Sequence, residues 1–273
     1  HHVAFDGGSR GVLLGELWPR YRELKSGAGG ADGRRDGSMV RALDVQYVDY
    51  AIWQRHELGP HLDAHRLYWR EQLREGTLPP LELPTDYPRP STQTFNGAVV
   101  GVTIAPEATE ALRTMARSHG CTMYQAMLGV WALVLCRHAG QEEVVIGSPY
   151  HGRDAAGTEV LIGYFVSVLA LRLEVARGGS VASVMDGARA CASSGMRYAA
   201  MPFQQVVEEA LPRRPHDASR NAVFQSMMGW GAEADACSAR GSSSEGACTR
   251  REGRGRVRPT RDADRHRVAK VEA

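Results

Sequence analysis

The 273-residue chain has five cysteines, Cys121, Cys136, Cys191, Cys237 and Cys248, and no CxxC pair among them. Neither a zinc ribbon nor a disulfide framework is indicated, and a reducing cytoplasm is the expected compartment. No stretch reaches the roughly 18 uninterrupted apolar residues of a membrane-spanning helix, so no membrane role is expected. No charged-then-apolar leader opens the chain, and any targeting segment is expected upstream of His1. No Walker-type phosphate loop is present: GAGGADG (27–33) has the glycines but neither a preceding strand nor a following apolar helix, and reads as linker. Residues 229–273 have no Leu, Ile, Phe, Tyr or Met. Such a segment cannot bury enough apolar surface to offset its ordering entropy, and it is expected to be disordered. It carries ten Lys/Arg against seven Asp/Glu in a chain of net charge +2, so the remainder is close to neutral. With Trp230 as its lone aromatic, the tail lacks interleaved stacking residues, and nucleic acid is not an expected partner. The abrupt change after Met228 has the composition expected of a shifted reading frame in a GC-rich gene.

What is present is a body with α/β patterning. With 43% hydrophobic residues, the chain is long enough for one large domain or two modest ones. Residues 1–5 read as a short extended piece, Asp6-Gly7-Gly8 as a turn, and Ser9 to Leu24 as a helix with Val12, Leu13, Leu17 and Leu24 on its apolar side. A Gly-rich connection (26–38) precedes two helices, VQYVDYAIWQRHEL and LDAHRLYWREQL. The prolines of LPPLELPTDYPRP (78–90) forbid helix and favour an extended strap. Strands are predicted at 97–104, 144–149, 164–175 and NAVFQSMM. Helices are predicted from Pro106 to Gly120, over 122–138, from Val181, and at PFQQVVEEAL.

Three patterns carry candidate chemistry. HHVAFDG places two imidazoles side by side. In an extended segment only one of them can face a given cavity, while Asp6 folds back after the turn to orient groups around it, provided a cation pairs with it. GGSRG (7–11) matches the G-x-S-x-G nucleophile elbow, with Ser9 as the nucleophile; the alternative reading makes Ser9 a helix N-cap. His61 and His65 stand at i, i+4 on a helix, but no third ligand is near and HELGPH does not fit H-E-x-x-H, so no metal is expected.

Taken together, these stretches resemble the condensation domain of nonribosomal peptide synthetases, in the chloramphenicol acetyltransferase-like superfamily. HHVAFDGGSRGVLL resembles the HHxxxDG segment. VQYVDYAIWQR is similar to the YxDYAxWQ helix, with Tyr47, Asp49, Tyr50 and Trp53 in place. LYWREQL with LELPTDYPRP is similar to the YW helix and proline strap, VVIGSPYHGRD to the IGTPxAGR strand and loop, and LIGYFVSVLALR to IGxFVNTLxLR. YAAMPFQQVVEE and DASRNAVFQSMM follow in the family's order.

The resemblance implies a two-lobed fold cut at both ends, with 1–45 from the first lobe, 46–228 from the second and a tail resembling nothing. It implies an acyl transfer in which the amine of one thioester attacks the carbonyl of another. Both are carried on the phosphopantetheine arms of donor and acceptor carrier proteins beside an adenylation domain, and no cofactor is bound directly. It assigns His2 the catalytic position, with His1, Asp6 and Gly7 in support and Ser167, Tyr47 and Trp53 at the substrate channel or lobe interface. Asp6 is implied to pair with an arginine lying upstream of His1. Its carboxylate is therefore expected to be buried without its cation here, at a cost of several kcal/mol. Departures from the family pattern are Ser167 for Asn, Gln204 for Glu, Gly8 for an aromatic and Ala222 for Pro. The isolated chain is expected to be inactive or poorly folded. An epimerising member of the family, a hydrolase using Ser9 and a noncatalytic carrier-docking module remain open alternatives.

Overall fold

The computed structural model describes residues 1–26, 42–74, 78, 80–210, 217–232 and 267–272. The Gly-rich connection lies largely outside these residues, as does most of the segment after Ala232.

The chain opens with a 3₁₀ turn at His2–Ala4, and helix α1 (Gly7–Ser26) follows directly. The extended piece and turn expected for residues 1–8 do not form. His1 Nδ1 accepts from the Val3 N–H at 3.2 Å and caps the turn, while the Ala4 and Phe5 N–H groups donate to the His1 and His2 carbonyls. These local bonds win over extension. Ser9 is the one buried residue of α1, and Leu13, Leu17, Trp18, Tyr21 and Leu24 are exposed. The apolar side anticipated from periodicity therefore has no core to face among the described residues.

Helices α2 (Tyr47–Leu58) and α3 (Leu62–Gln72) follow, joined by a 3₁₀ turn at Gly59–His61. The Asp49 carboxylate accepts from the Gln46 N–H at 2.8 Å and starts α2. The strap after α3 is extended and tied down: Leu81 N–H donates to Gln225 Oε1 (2.8 Å) and Glu82 N–H to Gln141 Oε1 (3.0 Å). The strand expected at 97–104 is absent. Val99, Val100 and Val102 are at least three-quarters exposed, and no described strand offers that segment a ladder. Alternating hydrophobicity does not make a strand without a partner for its N–H and C=O groups.

The remaining elements form the core: α4 (Pro106–Ser118), α5 (Met123–Ala139), β1 (Glu143–Tyr150), β2 (Ser167–Glu174), α6 (Val181–Arg197), α7 (Phe203–Ala210), β3 (Ser226–Ala232) and β4 (Arg267–Glu272). The α5 helix starts in a capping box between Thr122 and Gln125 (2.9 and 3.2 Å) and stops at Gly140. The sheet order is β2-β1-β3-β4. β1 runs antiparallel to β2 over their whole length, from Glu143 opposite Glu174 to Tyr150 opposite Ser167. β3 joins parallel to β1 at Ile146–Ser226 and Gly147–Met227, and β4 pairs antiparallel with β3. Helices α5 and α6 pack on each other and on β1 and β2. This buries Leu128, Leu135, Ile146, Leu171, Ala188 and Met228 in one cluster with Trp69 of α3. No single described helix is long and apolar enough to cross a membrane; α4 and α5 pass that test only as a pair bent by 106°.

Two boundaries read from composition are displaced. Strand β3 runs four residues past Met228, and residues 267–272 of the tail pair with it. A backbone ladder needs no particular side chains, so low apolar content did not prevent pairing there. The disorder expected for 233–266 falls outside the described residues.

Ile146 lies fully buried at the centre of this cluster. Ile146→Ala is expected to lower unfolding free energy by about 3 kcal/mol, read from the midpoint and slope of urea denaturation.

Candidate active site

The site is built on the hairpin of β1 and β2. These strands pair out to Tyr150 and Ser167, and the long loop between them, 151–166, receives the start of α1. Asp6 is 2% exposed. Its Oδ1 accepts from the Ser9 N–H, the Arg153 Nη2 and the Ser9 hydroxyl, each at 2.8 Å, and its Oδ2 accepts from the Phe165 N–H at 3.0 Å. The expected orphan carboxylate is thus a correction: the cation is Arg153 of the HGRD loop, within this chain. Sequence reading missed it because 147 residues separate the pair; the signal available was the arginine next to last in VVIGSPYHGRD.

Arg153 is fixed in turn. Its Nη1 donates to the Leu161 carbonyl at 2.9 Å and to the Thr158 carbonyl, and its guanidinium carbon lies 4.1 Å from the centre of the Phe165 ring. Burial pushes the Asp6 carboxyl up, but the Phe165 and Ser9 N–H groups, Arg153 and the Ser9 hydroxyl outweigh it and hold the pKa at about 2 rather than 3.8.

Asp6, not Ser9, caps α1, because the Ser9 N–H bonds the Asp6 carboxylate. Ser9 is fully buried. Its Oγ accepts from the Gly163 N–H (3.0 Å) and Arg153 Nη2 (2.9 Å), and its single hydrogen goes to Asp6 Oδ1 or the Gly163 carbonyl, both at 2.8 Å. A hydroxyl so engaged is no exposed elbow nucleophile, and the hydrolase alternative fails on geometry. Gly8 sits against this cluster: a Cβ there would come within 2.7 Å of Arg153 Nε, so a larger residue would have to displace the guanidinium. Gly7, the first residue of α1, is exposed, with nothing within 4 Å of a Cβ position.

Tyr47 and Tyr50 of α2 pack on the same loop, and Trp53 lies against Tyr50. The Tyr47 hydroxyl donates to the Tyr164 carbonyl at 2.7 Å, and its ring meets Phe165 edge-on at 5.1 Å. Gly163 permits this approach, since a Cβ there would fall 2.2 Å from the Tyr47 ring. Beyond these rings lies a cavity of about 650 Å³. Tyr47, Trp53, Tyr164 and Ser167 line it, as do Gln204 and Val3. His2 does not itself line it; the residue is exposed, precedes the lining residue Val3, and has its ring centre 5.3 Å from that of the lining residue Tyr164. His1 is exposed and occupied as the cap of the 3₁₀ turn rather than packed behind His2. His65 is buried, with Nδ1 3.2 Å from the Tyr198 carbonyl, and burial lowers its pKa. Among the described residues no group of three or more His, Cys, Asp or Glu is placed to hold a metal ion.

The condensation-domain family model matches residues 1–238 of this chain. This chain belongs to the condensation-domain family. Malpibaldin synthetase of Mortierella alpina is 38% identical over 231 residues, which cover 84% of this chain and 4% of the synthetase. A bacterial relative, one of the linear gramicidin synthase polypeptides of Brevibacillus parabrevis, is 34% identical over 229 residues, again 84% and 4%. Among solved structures, the X-domain from teicoplanin biosynthesis superposes with a TM-score of 0.71 at 23% identity, over 83% of this chain and 49% of that one. The first condensation domain of the calcium-dependent antibiotic synthetase, in complex with a substrate analogue, gives 0.60 at 21%, over 85% and 54%. The condensation-domain chain thus spans a small fraction of the synthetases it matches and about half of the isolated domains. Its mixed α/β fold matches that of the solved condensation-domain structures.

Two outcomes are expected from the buried pair. Arg153→Ala leaves the Asp6 carboxylate without its cation and is expected to cost about 3–5 kcal/mol of stability in denaturant titration. Because Asp6 is more acidic folded than unfolded, its contribution is present above about pH 4. It is lost as pH falls from there through about 2, at about 2 kcal/mol. Asp6→Asn is expected to flatten that limb of an acid-unfolding curve.

Proposed function

We propose that this chain carries the histidine-bearing part of an acyl-transfer centre that joins two carrier-bound thioesters through an amide bond. The observation that carries the reading is His2, exposed and packed against Tyr164 at the edge of a 650 Å³ cavity that Tyr164 lines, while the carboxylate of its own motif is buried and paired elsewhere. The relatives are nonribosomal peptide synthetases, and condensation domains work in such assemblies beside carrier and adenylation domains.

The chemistry follows from the groups present. A free α-amine has a pKa near 8 and is largely protonated at neutral pH, whereas an ordinary imidazole near 6.5 is largely neutral there. His2 takes the proton as nitrogen bonds to the thioester carbon, or holds the amine and the zwitterion that develops; the thiolate of the donor arm leaves. Asp6 does neither, because its lone pairs are spent on Arg153, Ser9 and Phe165. Tyr47, Trp53 and Ser167 line the space the acyl groups would occupy. Substrates on phosphopantetheine arms arrive tethered, so positioning supplies much of the acceleration and no cofactor of the chain's own is needed. The reading places the work in the cytoplasm, with donor and acceptor carrier proteins as partners. The exposed apolar face of α1 supports the expectation that the chain is inactive by itself.

A second reading, a noncatalytic docking module, is favoured by the likeness to the teicoplanin X-domain, which has also been solved in complex with OxyB. One variant separates the two. In the polypeptide expressed from its complete reading frame, with carriers loaded by a panel of aminoacyl-phosphopantetheines, His2→Ala is expected to lower amide formation by about 100-fold or more while leaving carrier binding intact. Mass spectrometry of the released product reads the first and calorimetry the second. Amide formation undiminished in the variant overturns the acyl-transfer reading, and no turnover in either protein, with carrier bound, establishes docking.

A further inference from the structure

We propose that Tyr164 is a positioning residue for His2, the side chain through which the buried network of Asp6, Ser9 and Arg153 sets the direction of the imidazole. The inference rests on the acyl-transfer reading and adds a residue to it. His2 is exposed, and its backbone is held by a turn of three residues. That turn fixes the main chain but leaves the two side-chain torsions of His2 free. The contact that constrains them is with Tyr164: the two ring centres are 5.3 Å apart and the planes stand at 83°, an edge-to-face arrangement.

The backbone that carries the Tyr164 ring is held at three points. The Tyr164 carbonyl accepts from the Tyr47 hydroxyl at 2.7 Å. The residue before it, Gly163, donates its N–H to Ser9 Oγ at 3.0 Å. The residue after it, Phe165, donates its N–H to Asp6 Oδ2 at 3.0 Å. Ser9 and Asp6 lie seven and four residues after His2, so one short stretch of chain both bears the imidazole and clamps the backbone of the ring that orients it. Arg153 closes the circuit by holding Asp6 and Ser9 together, at 2.8 and 2.9 Å. Asp6 therefore acts on His2 at a distance, through the 163–165 backbone and the Tyr164 ring. The ring, rather than its hydroxyl, makes the contact, so phenylalanine should serve in its place.

Two measurements test this. In the 273-residue chain with ¹³C,¹⁵N-labelled histidine, under conditions where a cooperative urea transition shows it folded, the His2 ring protons are expected to show nuclear Overhauser contacts to the Tyr164 ring and a ring-current shift. Both are lost in Tyr164→Leu and kept in Tyr164→Phe. In the polypeptide expressed from its complete reading frame, Tyr164→Leu is expected to lower kcat roughly tenfold with KM within about twofold, and Tyr164→Phe to restore it. Absence of the ring-to-ring contacts in the wild-type chain overturns the proposal even if the leucine variant fails to fold. A leucine variant with unchanged kcat, beside a His2→Ala variant that has lost turnover, overturns the proposal and leaves the acyl-transfer reading standing. Turnover retained in His2→Ala overturns both.

Discussion

The structure around the site depends on one carboxylate being taken out of water and given every partner it needs. Asp6 accepts from two backbone N–H groups, a guanidinium and a hydroxyl, and these donors belong to Ser9 on one side and to Arg153 and Phe165, far along the chain, on the other. A buried charge left with fewer partners would relax toward solvent. Because α1 buries only Ser9, the Asp6–Ser9–Arg153 cluster is the buried polar contact that seats the first 26 residues on the rest of the described structure. The same bonds therefore decide where His2 stands.

Placing the arginine in the β1–β2 loop has a second effect. The hairpin pairs continuously from Glu143–Glu174 to Tyr150–Ser167, so the loop's two feet are fixed and its residues 152–165 can be cross-linked without loosening the sheet. Arg153 near one foot and Phe165 near the other meet over the Asp6 carboxylate. Helix α2 then leans its aromatic face on Phe165 and Tyr164, closing one wall of the cavity. A paired hairpin, a braced loop and a packed helix give His2 a defined neighbourhood although the residue itself is exposed.

Most elements could be read in advance where a local rule was strong. Thr122 with Gln125, Ser180 and Pro106 mark helix starts, and Gly120 and Gly140 follow helix ends, by bonds that span a few residues. The readings that failed depended on distant partners. Val99, Val100 and Val102 alternate like a strand but have no described strand beside them. Leu13 and Leu17 mark a helical stripe that faces no described core. The tail was judged by side chains, whereas β4 pairs through its backbone. Within the site, His2, Asp6, Tyr47, Trp53 and Ser167 were legible as motif members, while Arg153, Gly163, Tyr164 and Phe165 were quoted inside motifs without a role.

The amino-acid sequence by itself determined the order of the elements and the residue types on offer: an imidazole pair, an acid four residues on, an aromatic helix and an arginine after a core strand. It did so because caps, prolines, glycines and periodicity act over a turn or two of chain. Only the tertiary structure decided that Asp6 pairs with Arg153 rather than standing alone, that Ser9 is buried rather than reactive, and that the Tyr164 ring lies against His2. Those outcomes rest on contacts between residues remote in the chain, where the free energy depends on which surfaces meet and not on how far apart they stand in sequence.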